Sequence, residues 1–201
     1  MTVDTIALAT EDALSEAVGR RLIAESPLAS AHVFAHRRNG FGYLRSQMGS
    51  WREMAGWQVV LLVTDLDTFE CPLALIQDWA GQRQRLPDHL LLRVAVREIE
   101  SWVLTDHEAI RRLIGKKGKL PPEPDLLPDP KQYLLRLASG APRDVRDDLV
   151  GRKGRDAAAS QGTGYNARLT EWVRMEWSPE RAAERSPSLA RARRALARLA
   201  K

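Results

Sequence analysis

Three acidic features of the sequence stand where strands end and helices begin. The sharpest is Asp65-Leu66-Asp67, which closes the most apolar run of the chain, WQVVLLVTDL at positions 57–66. Side chains two apart on a strand point the same way, so both carboxylates can face one point in space. Two negative charges that close repel each other unless a cation or a proton lies between them. Hard oxygen donors of this kind suit Mg²⁺ or Mn²⁺. Aspartate also serves the turn that ends a strand, and both readings stay open. The second feature is Glu11-Asp12, after the run TIALAT, where an acid can equally satisfy the first N–H groups of a helix. The third is Arg97-Glu98-Ile99-Glu100-Ser101-Trp102, whose glutamates could add a ligand or a proton-transfer group, or simply favour a helix start.

The elements that must position these acids follow from hydrophobic spacing. Thr5–Thr10 leans to strand. Ala13, Leu14, Ala17, Val18 and Leu22 recur at three and four, as in an amphipathic helix. Residues 28–56 scatter glycines among aromatics and predict helical stretches without clear bounds. The aliphatic run at 57–66 predicts a strand buried on both faces, and Pro72 suits the first turn of the next helix. Residues 89–96 predict a third strand and 99–114 a further helix. Such alternation builds βαβ units around a parallel sheet, whose ligands collect outside the carboxyl ends of the strands. The expected fold is therefore α/β, a short parallel sheet flanked by helices over residues 1–114. Residues 115–130 hold five prolines and read as an extended connector. Residues 131–201 read as a helical, basic C-terminal subdomain packed on the core, with helices over 131–138, 143–150, 166–175 and 188–199 and a polar loop over 151–166.

Composition narrows the function classes. The single cysteine, Cys71, excludes an intrachain disulfide and points to a reducing compartment; without a partner it reads as a packed, inert thiol. No stretch is long and apolar enough to span a bilayer, and the first residues lack a secretory pattern, so a cytoplasmic protein is expected. Residues 151–201 carry twelve Lys and Arg against five Asp and Glu in a chain of net charge +5, which leaves residues 1–150 at −2. That asymmetry suits a phosphate backbone docking near an acidic site, or merely solvated Arg-rich helices. Candidates for such contacts are Lys131, Arg152, Lys153, Arg155 and Arg168, with Arg191, Arg194 and Arg198 sharing one helical stripe. The histidines lack zinc spacing, no Walker-type loop is present, and the tryptophans fall mostly at apolar helical positions.

The phrases ATEDALSEAV, LLVTDLD and RVAVREIESWVLTD, with DPKQYL, GTGYN and SPSLARA further on, resemble the TOPRIM-like proteins of bacteria, in particular the group related to the DUF4276 family. The resemblance covers most of the chain. It implies a TOPRIM-like (Rossmann-like) sheet in which Glu11, Asp65 and Asp67 hold Mg²⁺ or Mn²⁺ for phosphodiester chemistry on DNA or RNA, with Glu11 or Glu100 moving the proton. It further implies phage defence, often beside an ATPase partner. The chain departs from the family at Asp12, where a glycine is usual. The expectation is thus a Mg-dependent nuclease-like phosphodiesterase, the alternative a non-catalytic metal- or partner-binding subunit of a defence complex.

Overall fold

A computed structural model describes residues 3–37, 41–81, 85–151 and 160–199, the side chains of Arg37 and Phe41 excepted. Strands β1 (Thr5–Thr10), β2 (His32–Arg37), β3 (Val59–Asp65) and β4 (Leu90–Ala95) form one sheet in the order β2-β1-β3-β4, with every pairing parallel. The residues of β3 explain its central place. Val59, Leu61 and Val63 enter the core on one face, while Val60 and Leu62 enter a second core on the other.

Helices α2 (Phe41–Ser46), α3 (Met48–Met54) and α4 (Pro72–Ala80) bury Leu44, Trp51 and Leu75 against one face of the sheet. The opposite face carries α1 (Ala13–Ala24), α5 (Ile99–Thr105) and α6 (His107–Ile114). It also carries the C-terminal α7 (Pro130–Ala138), α8 (Arg143–Leu149), α9 (Tyr165–Met175), α10 (Pro179–Ala183) and α11 (Pro187–Arg198). One continuous core joins them: Leu169, Val173, Leu189 and Leu196 lie in the same cluster as Leu8 and Leu61. Helix α9 packs on α1, α10 on α5, and α11 on β4. Of the six tryptophans, Trp51, Trp79, Trp102, Trp172 and Trp177 are buried and Trp57 is exposed. Among the described residues no helix is long and apolar enough to cross a membrane.

Three expectations are corrected. Residues 28–56, read as helical, open with the strand β2. As an edge strand it mixes exposed His32, Phe34 and Ala35 with half-buried Val33 and His36, so it lacks the continuous apolar run that marks β3. Residues 99–114 form two helices, not one: Asp106 ends α5 and caps α6, accepting from Ala109 N at 3.1 Å. Cys71 is exposed, preceding Pro72 at the start of α4. Helix α10 adds one more element, too short for periodicity to mark, and the proline-rich stretch contains a 3₁₀ turn over Pro124–Leu126.

Candidate metal centre

Parallel pairing decides which chain segments meet. Because β1 and β4 both flank β3 and run with it, the ends of all three strands lie side by side, with Thr10 opposite Val63 and Asp65 opposite Ala95. The residues that follow are therefore neighbours, although they come from three separate stretches of sequence. Glu11 Oε1 accepts hydrogen bonds from Thr64 Oγ1 and, at 3.2 Å, from the backbone N of Asp65. Asp12 is spent on the fold: its Oδ1 accepts from Ser15 N at 2.8 Å and caps α1.

Asp65 is an acid strongly perturbed by its surroundings. Burial, then the charges of Glu100, Glu11, Asp12 and Glu98, hold its pKa well above the usual carboxylate value. Its Oδ1 is buried without a hydrogen-bond partner among the described residues. An unmade hydrogen bond at a buried polar atom costs on the order of 1–3 kcal/mol. Burial also raises Glu11, against the lowering effect of its bonds to Thr64 and Asp65.

Asp67 is exposed and stands just beyond the strand, in a left-handed turn with φ of 49°. Arg97, the matching residue past β4, is left-handed as well, with φ of 62°, a conformation that costs an ordinary residue about 1–2 kcal/mol. The two turns are latched together. Asp67 N donates to Arg97 O at 3.1 Å, and Arg97 Nη1 donates to the carbonyls of Asp67 and Phe69 at 3.1 and 3.2 Å. The latch fixes the loop that carries Asp67 relative to the loop that leads into α5.

Glu100, in the first turn of α5, is 5% exposed. Burial raises its pKa to about 7, against the lowering effects of a hydrogen bond from Tyr165 and the charge of Lys131. Tyr165 OH donates to Glu100 Oε1 at 2.7 Å, and the same burial and negative charge push the phenol well above its ordinary range. Lys131 Nζ lies 5.4 Å from the centre of the Tyr165 ring, and its backbone N donates to Glu98 Oε2 at 3.0 Å. Tyr165 is placed by the glycines before it. A Cβ on Gly162 would stand 2.3 Å from Asp148 O, so only glycine lets the chain approach α8 so closely. Gly162 N donates to Leu149 O at 2.9 Å, and α9 begins three residues later.

The structure thus brings Glu11, Asp65, Glu98 and Glu100 to one sheet edge, with Lys131 and Tyr165 beside them and Asp67 at the rim. Among the described residues no three His, Cys, Asp or Glu side chains are arranged to ligate one ion as they stand. The donor type is that of a hard divalent cation site, since the unpartnered Asp65 oxygen lies in the field of the Glu100 and Glu11 carboxyl groups. The predicted phosphate contacts divide. Lys131 is at the site. Arg168 pairs with Asp144 at 2.5 Å and Asp148 at 3.7 Å. Arg194, with Arg193, lines a cleft of about 240 Å³ against Glu25 and Pro27 at the end of α1, whereas the charges of Arg191 and Arg198 act on Arg93 in β4. Arg152, Lys153 and Arg155 lie outside the described residues.

Sequence reasoning missed Tyr165 as a functional group. The signal was the phrase GTGYN, but only the fold shows that its tyrosine reaches Glu100, 65 positions earlier. Arg93 was missed too, since an arginine inside a strand has no motif of its own. A scan of family models, a search of curated proteins and a search of solved structures each find no match for the chain.

Proposed function

We propose that this protein is a metal-dependent phosphodiesterase of the TOPRIM type, acting on nucleic acid. One observation carries the reading: Asp65, at the carboxyl end of the central strand, has a buried oxygen without a partner and is crowded by the negative charges of Glu100 and Glu11. A divalent cation relieves both conditions at once. Asp65, Glu11 and Asp67 would hold Mg²⁺ or Mn²⁺, which when bound supplies Lewis-acid activation of a phosphoryl oxygen and of water. Glu100, near 7, has a pKa suited to moving a proton at neutral pH. Tyr165 orients that carboxyl group, and Lys131 supplies a positive charge beside it for a phosphate oxygen. A role in phage defence beside an ATPase is proposed on the family resemblance alone.

The test is cleavage of labelled single- and double-stranded DNA and RNA with Mg²⁺, Mn²⁺ or EDTA, using wild type and the Asp65→Asn, Asp67→Asn double variant. Metal-dependent cleavage by wild type and none by the folded double variant is expected. Equal cutting by both ends the proposal.

A non-catalytic metal- or partner-binding subunit is the second reading. It is favoured by the two hydrogen bonds that already engage Glu11 Oε1. Thermal stabilisation by Mn²⁺ without turnover on any of these substrates would identify it.

A further inference from the structure

Arg93 lies in the edge strand β4, opposite Val63, so its side chain leaves the sheet on the same face as that of Val63. Helix α11 packs over β4 on this face, burying Leu189, Ala192 and Leu196. Arg191 and Arg198 sit two turns apart on one flank of that helix, with Ala195 between them packed against the core. A small residue there leaves room for a long side chain rising from the strand. Both α11 arginines are close enough to act on Arg93, whose pKa is lowered first by burial and then by the charges of Arg198 and Arg191.

With α11 packed on the edge strand, three positive charges therefore lie within electrostatic reach of one another. Among the described residues no carboxylate bonds to or pairs with any of them, and Arg93 Nε is buried without a hydrogen-bond partner. Like charges gathered with a buried donor left over are costly unless an anion joins them. Arg93 itself also lines a cleft of about 560 Å³ along the edge strand, whose other charged residues, Arg85 and Asp88, pair with each other at 3.1 Å. It lies two residues before the level of Asp65, about 7 Å along the strand.

The geometry points to Arg93, Arg191 and Arg198 as a binding site for the phosphodiester groups of a nucleic-acid strand, outside the acidic cluster. The guanidinium fork is the side chain best matched to phosphate oxygens. The inference rests on the proposed function in taking nucleic acid as the polyanion, but it concerns binding and not turnover.

The experiment is fluorescence anisotropy of labelled single-stranded DNA and RNA in EDTA, over a salt series. The proteins are wild type, Arg93→Gln, Arg191→Ala/Arg198→Ala and Arg174→Ala. Arg174 is an exposed arginine of α9 and controls for net charge. Wild type and Arg174→Ala are expected to bind alike. Arg93→Gln is expected to lose about tenfold in affinity, one charge-assisted contact. The double arginine variant is expected to flatten the salt slope by about 0.7 per charge removed. If the arginine variants bind and respond to salt as Arg174→Ala does, or if wild type binds neither strand, the inference is overturned. Because Arg191 and Arg198 are exposed, their loss leaves the fold intact and keeps the test decisive should Arg93→Gln misfold. Binding lost in the arginine variants while wild type fails to cut would sink the nuclease reading and leave this site standing. Cutting by wild type with unchanged binding in the variants would do the reverse. Inorganic phosphate competing as well as the oligonucleotide would mark a small-anion site and overturn the polymer assignment.

Discussion

Tyr165 donates its phenolic hydrogen to Glu100 Oε1 across 2.7 Å, tying the start of α9 to the first turn of α5 and joining the C-terminal helices to the acidic cluster. The bond lowers the pKa of Glu100 against the larger effect of burial, so its removal has a defined sign. Tyr165→Phe is expected to move the Glu100 pKa above 7. In the proposed reaction the pH–rate profile then shifts to the alkaline side and kcat at neutral pH falls roughly tenfold, within the range of general acid–base contributions. Steady-state rates from pH 6 to 9 check this, and an unchanged profile would leave Tyr165 with a packing role.

The acidic cluster should make the metal-free protein more stable in mild acid. Glu100 has a folded pKa raised from 4.5 to about 7, so its contribution is fully present below 4.5 and is lost as pH rises through 7. Asp65 is shifted in the same direction. Thermal melts in EDTA between pH 5 and 8 are expected to show the melting temperature falling with pH, and Mg²⁺ is expected to recover it most at pH 8. A rise with pH in EDTA would contradict the direction of both shifts.

Neutralising Asp65 alone is expected to stabilise the metal-free protein while removing the proposed activity. Asp65→Asn relieves repulsion from Glu100 and Glu11 at little steric cost. A gain of about 1 kcal/mol raises the melting temperature by about 2–4 °C for a chain of this size. Differential scanning calorimetry at pH 8 in EDTA makes the comparison, and a large drop in its place would recast Asp65 as a structural residue.

Asp106 and Arg181 supply the opposite pH dependence. Asp106 is fully buried and accepts from Arg181 Nε at 3.0 Å and Nη2 at 2.7 Å, from Ser178 N at 2.8 Å and from Ala109 N at 3.1 Å. These bonds hold its pKa below 3.8 despite burial, so the pair stabilises the fold above that value and is lost as pH falls through the lower, folded one. Arg181→Leu leaves the carboxylate without its cation. Because the Arg181 side chain is 35% exposed, water offsets part of the loss, and about 2–3 kcal/mol of destabilisation is expected. Chemical denaturation of the variant at pH 7 gives the value, and a change under about 0.5 kcal/mol would mean the pair is no more than an exposed contact.

The sequence carried its message most clearly where a residue's environment is uniform. β3 is legible because both faces are covered and nearly every side chain is apolar; β2 is not, because at the rim of the sheet His32, Phe34 and Ala35 are exposed. The break at Asp106 was hidden by apolar residues that continue past it, and the arginine that holds the Asp106 carboxylate, Arg181, lies 75 positions away. The same divide runs through the acidic group. Glu11, Asp65 and Asp67 announce themselves by standing after strands, whereas Tyr165 and Arg93 gain their meaning only from neighbours that the topology supplies.

The single interior shared by the sheet and the later helices has a consequence for engineering. Residues 1–114 are not a transplantable cassette: cut away from α9 and α11, they would expose Leu8 and Leu61 to water and release the carboxyl group of Glu100 from the phenol that steers it. Any chimera that borrows the acidic half must import its helical cover as well, or it will inherit the charges without the order that makes them useful.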